Sequence, residues 1–171
     1  MIEPVPDNII YCYGIFSDIV PLIESMGILT VAGLPDEHLK TMTGTTLLVL
    51  DDLMNSTSKE YLDSLFTMRS HHEGLGCILI VQNIFAPNIK VARGNAHYLV
   101  LMNGVAYRLQ VRILGSQLFP GKIKFFQDAY QKAVNEDGGS LLIDLHPKTP
   151  DQLRLRANIF PGQENIVYLP K

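Results

Sequence analysis

The sequence predicts an α/β protein built on a mainly parallel sheet flanked by helices. Three observations carry that reading. Short apolar runs such as TTLLVLDD (45–52) and GCILIVQN (76–83) alternate with stretches of helical periodicity. Those runs are uniformly apolar, which suits strands covered on both faces better than half-exposed hairpins. A hydrophobic fraction of 47% against 18% charged residues fits a chain that buries such a sheet.

Taken in order, NIIYCYGIF (8–16) reads as a strand and SDIVPLIESM (17–26) as a helix with Ser17 as its N-cap. ILTVAGLP is extended, and PDEHLKTMTG gives one helical turn and a loop. TTLLVLDD is the best strand in the chain and is expected at the sheet centre. SKEYLDSLFTMRSHHEG (58–74) places Tyr61, Leu62, Leu65, Phe66 and Met68 at helical spacing and stops at Gly74. GCILIVQN and AHYLVLMN are two further buried strands. GKIKFFQDAYQKAVNE (121–136) is helical, GSLLIDLHP is a strand ended by Pro147, and QLRLRANIF alternates like an exposed edge strand. No internal repeat or interdomain linker is visible, so 171 residues are expected to form one domain.

The bulk properties narrow the function classes. No apolar run reaches the roughly 20 residues of a membrane helix, and MIEPVPDN carries no secretory signature. Only Cys12 and Cys77 are present, both in strand-like runs, so a disulfide framework is not expected and a reducing compartment is. A net charge of -3 provides no global attraction for nucleic acid. Local basic pairs are Arg108 with Arg112, Lys122 with Lys124, and Arg154 with Arg156.

In a mainly parallel sheet the binding site lies at the carboxyl ends of the strands. Three strands end in polar groups: Asp51 with Asp52, Gln82 with Asn83, and Asn103. An apolar strand closed by two carboxylates is the Walker B pattern. Its first acid holds the Mg²⁺ shell and its second polarises the attacking water. A divalent ion offsets the repulsion between the two. Gln82, neutral and able both to donate and to accept, suits a water-positioning or phosphate-sensing role.

These residues resemble a family. From HHEGLGCILIVQNIF through ARGNAHYLVLMN to SLLIDLHPKTPDQLRLRANIF, the chain resembles the genome-packaging ATPases of Polinton/Maverick and adintovirus-type elements, within the FtsK-HerA superfamily. The resemblance implies a RecA-like (ASCE) P-loop NTPase fold and an ATP- and Mg²⁺-dependent motor that moves double-stranded DNA into capsids. Asp51 would be the Mg²⁺-associated acid and Asp52 the catalytic acid. Gln82 would be the strand-end glutamine, with Asn83 beside it as a further cofactor contact, and Arg93 an arginine finger reaching a neighbouring subunit. Self-association into a ring, capsid or portal partners, and an intracellular setting in the host nucleus or a cytoplasmic viral factory come with the same resemblance. Arg108 and Arg112 are the candidate nucleic-acid contacts.

The chain departs from that family in two places. No G-x-x-x-x-G-K-[ST] occurs in it, so the backbone donors and lysine for ATP phosphates are missing and no tight nucleotide binding is expected from these residues alone. In the family the loop and its strand precede the equivalent of IIYCYG, which puts their place upstream of Met1. The missing strand lies between the equivalents of CILIVQN and AHYLVLMN. The chain is therefore expected to re-pair those strands, or to fill the gap from its tail or a second copy. The second departure is NGVAYRLQ (103–110), where only Asn103 and Arg108 stand in for the family's polar cluster.

Two other function classes remain in view. One is a hydrolysis-incompetent remnant acting as an assembly or DNA-binding module. The other is a two-metal nuclease gathering Asp51 and Asp144, with Asp144 read as lying inside its strand. Adjacent His71 and His72 match no zinc spacing with Cys77, His97 or His146 and read as a helix-terminal pair.

Overall fold

A computed structural model describes residues 5–54, 56–69, 74–135 and 138–170. The chain divides into two compact units, Met1–Asn95 and Ala96–Lys171, each with its own four-stranded sheet.

In the first unit, strands β1 (Asn8–Tyr13), β2 (Leu29–Ala32), β3 (Thr46–Asp51) and β4 (Leu75–Ile80) form a parallel sheet in the order β2-β1-β3-β4. The apolar run of 45–52 is thus an interior strand, paired in register on both sides. Ile10 lies opposite Leu48 and Leu48 opposite Cys77. Cross-strand partners share a face. Ile10, Cys12, Leu48 and Leu50, all fully buried, therefore pack together under Leu62, Leu65, Ile89 and Ala92. The opposite face is less covered: Ile78 is 41% and Ile80 46% exposed. Both cysteines are free, and burial pushes their thiols up to about 12, away from the thiolate form.

The connecting helices are α1 (Ile19–Ser25), α2 (Asp36–Thr41), α3 (Lys59–Ser64) and α4 (Lys90–Asn95). Ser58 caps α3 by accepting the Tyr61 N–H at 3.1 Å. Ser17 does not cap α1 with its side chain. Asp18 occupies the N-cap, and the Ser17 carbonyl accepts the Val20 N–H at 3.0 Å. The helix expected over 58–74 is α-helical only to Ser64 and then widens into a π turn, Leu65–Arg69. His71 and His72 lie outside the described residues.

Asp7 fastens the start of β1 to the start of β3. Its Oδ2 accepts the Thr45 N–H at 2.8 Å and the Thr45 hydroxyl at 2.9 Å. These bonds hold its carboxyl below the usual range. A depressed folded pKa contributes stability that is present above the ordinary carboxylate value and is lost as pH falls through the folded one. Asp7→Asn is therefore expected to lower the urea midpoint near neutrality and to flatten its decline below about pH 4. Urea melts at both ends of that range check this.

The second unit holds β5 (Tyr98–Met102), β6 (Ser140–Asp144), β7 (Leu155–Ala157) and β8 (Ile166–Val167), in that order and antiparallel throughout. Between β5 and β6 run α5 (Arg108–Leu118) and α6 (Ile123–Ala133), and α6 packs on β6 and β7. Every residue of β6 is buried. This unit corrects the expected sheet, because strands 98–102 and 140–144 are antiparallel instead of extending the parallel one. β6 is buried on both faces, but β5, expected as a buried strand, exposes Tyr98, Val100 and Met102 along one face. An apolar run reads the same whichever way its strand is paired, so hydrophobicity could not decide strand direction. QLRLRANIF provides β7, paired on both sides, and the edge is β8. Helix α5 starts in the segment that read only as a departure from the family. β4 is the last strand of the first sheet and β5 the first of the second, and the tail strand β8 joins β7.

Candidate functional site

The sequence-predicted residues Asp51, Asp52, Gln82, Asn83 and Arg93 all belong to the first unit. Asp51 closes β3 and is paired in register with Ile80 near the end of β4, so Gln82 and Asn83 follow at the same sheet end. Strand alternation puts Asp51 on the less covered face. Tyr11, two positions back along the adjacent strand, shares that face and donates its phenol O–H to Asp51 Oδ2. Burial first, then this hydrogen bond and the carboxylate charge, push the Tyr11 phenol up to about 12. Asp51 Oδ1 has no hydrogen-bond partner among the described residues.

Asp52 is exposed and adopts φ 52, a left-handed conformation that Asp tolerates better than most residues. This turn sends Leu53 back into the core, where it is 1% exposed. Gly14 packs against the turn. Its N–H donates to the Asp51 carbonyl at 3.0 Å, and a Cβ there would overlap the Asp52 carbonyl oxygen. The two carboxylates are thus carried on a backbone bend enforced from β1.

Gln82 is exposed. Asn83 turns its side-chain oxygen inward to accept the Phe85 N–H at 2.9 Å, an Asx turn that shapes the loop after β4. Arg93, on α4, donates to the Ile84 carbonyl at 2.9 Å and lies 4.5 Å above the Phe85 ring. It braces its own loop, and reaching a neighbouring subunit would require giving up both contacts. Asn88 ties the same region to the loop after β3 by donating to the Met54 carbonyl at 2.8 Å.

In the second unit, Arg108 and Arg112 are exposed one turn apart on α5 and form a two-charge patch. Asp144 is the last residue of β6 and not interior to it. Only 2% exposed, it pairs with Arg156 and accepts the His146 N–H at 3.0 Å. The ion pair occupies the carboxylate that the nuclease reading needs. A shallow depression lined by Asp128, Gln131, Lys132 and Asn135 includes none of the sequence-predicted residues.

Among the described residues no group of three or more His, Cys, Asp or Glu side chains is placed to hold a metal ion by itself. A Mg²⁺ ion that keeps several waters needs only one or two carboxylates, and Asp51 with its free Oδ1 fits that demand. The phosphate half does not fit, since these residues contain no glycine-rich loop of backbone donors. Sequence reasoning missed Tyr11 and Gly14. The tyrosine was visible in NIIYCYG, but its partner depends on a register that no local pattern reveals. Comparison with protein-family models, curated proteins and solved structures finds no match.

Proposed function

We propose that the chain is the C-terminal part of a DNA-packaging ATPase that couples ATP hydrolysis to double-stranded DNA translocation into capsids. The observation that carries this reading is the pair Asp51–Asp52 at the carboxyl end of an interior parallel strand, with Gln82 beyond the neighbouring strand. In a RecA-like domain of this kind Asp51 would hold the Mg²⁺ shell, and Mg²⁺ would supply charge neutralisation at the phosphates. Asp52 would accept a proton from the attacking water, and Gln82 would orient that water. Asn83 supports the site indirectly, through the loop it shapes. Arg93 is the candidate for a contact across a subunit interface in a ring. Arg108 and Arg112 are candidates for the DNA backbone, a contact of low sequence content.

A second reading has its own support. The absence of a phosphate-binding loop from these 171 residues favours a hydrolysis-incompetent assembly or DNA-binding module. ATP hydrolysis by a chain extended upstream through such a loop separates the two. Asp52→Asn is expected to lower the turnover of that longer chain by about 10²–10⁴-fold, the usual worth of a general base. No hydrolysis in any upstream-extended chain would leave the module reading.

A further inference from the structure

We infer that Tyr11 is a positioning residue for Asp51: its phenol fixes the carboxylate through Oδ2 and leaves Oδ1 as the oxygen available to a divalent cation. The inference rests on the reading of Asp51 as the Mg²⁺-associated acid. An aspartate at the end of a strand otherwise samples several staggered rotamers, each aiming its oxygens differently. Here the ring of Tyr11 is only 6% exposed and cannot swing freely, so the hydrogen bond it donates selects one Asp51 orientation. The backbone is held from the same strand, with Gly14 bonded to the Asp51 carbonyl and packed against the left-handed turn at Asp52.

The choice of a phenol matters. A lysine or arginine at this place would orient the carboxylate equally well but would neutralise it, competing with the cation. A tyrosine donates a hydrogen bond and leaves the negative charge in place. Carboxylate ligands of metals are commonly held by such outer hydrogen bonds, and losing one costs about 10–100-fold in metal affinity.

Tyr11→Phe in the whole chain retains the ring and tests the assignment by NMR. Three-bond couplings at the Asp51 β-protons are expected to report a single rotamer in the parent and averaged rotamers in the variant. Identical couplings in both would overturn the inference. Mn²⁺ alone serves as the cation probe, read by paramagnetic broadening at residues 51–53. Its affinity is expected to fall about tenfold or more in Tyr11→Phe and to vanish in Asp51→Asn. Equal Mn²⁺ affinity in parent and Tyr11→Phe would also overturn it. No broadening in the parent would defeat the Mg²⁺ role of Asp51, and the couplings would still decide whether Tyr11 positions its carboxylate.

Discussion

Phe126→Ala is expected to lower the unfolding free energy by about 3–5 kcal/mol, the usual cost of emptying a fully buried aromatic site. Phe126 is 0% exposed on α6. It stacks on Phe119, with ring centroids 5.4 Å apart and planes at 24°. Its ring also occupies the space left by Gly115 on α5, where a Cβ would overlap Phe126 Cδ1. The close approach of α5 and α6 thus depends on a glycine facing a phenylalanine. Truncating the ring leaves a void that neither helix backbone fills without moving. Phe126→Leu retains most of the volume and should cost clearly less. Urea unfolding followed by far-UV circular dichroism checks both, and a near-neutral Phe126→Ala would mean that the two helices do not pack through this contact.

Asp144→Ala carries the second large effect, about 3 kcal/mol, the lower end of the range for breaking a buried ion pair. The Asp144 side chain is 4% exposed and that of Arg156 is 28% exposed, so the guanidinium retains some solvent when its partner is removed. The aspartate also accepts the His146 N–H, which would lose its partner. Arg156 Nε is already buried with no hydrogen-bond partner among the described residues, leaving little elsewhere to compensate. Replacing both partners by apolar residues, Asp144→Leu with Arg156→Met, should recover part of the loss, because the unpaired charge is then gone. A double-mutant cycle in urea is expected to give a coupling energy above about 1 kcal/mol. Additive effects would show that the pair contributes nothing beyond its separate members.

Local signals carried much of the first unit. Its strands fall where apolar runs meet turn residues, and α3 begins at the capping Ser58. Asp51, Asp52, Gln82 and Asn83 were legible as candidates, because polar groups closing apolar strands stand out in a sequence. Their surroundings were not. Arg93, implied by the family resemblance to be an arginine finger, lies over the Phe85 ring, and Asp144, read as lying inside its strand, closes that strand and pairs with Arg156. Each outcome depends on a partner that sequence distance conceals.

Alternation and composition alone were enough to establish an α/β chain with an interior strand that delivers two adjacent acids, because period and burial are properties of short segments. Only the tertiary fold decided strand direction, the division into a parallel and an antiparallel sheet, and the pairing of Tyr11 with Asp51. Those depend on register between segments about 40 residues apart, and register is set by packing across the whole sheet. TTLLVLDD could announce two carboxylates, but it took the neighbouring strand to show which oxygen is held.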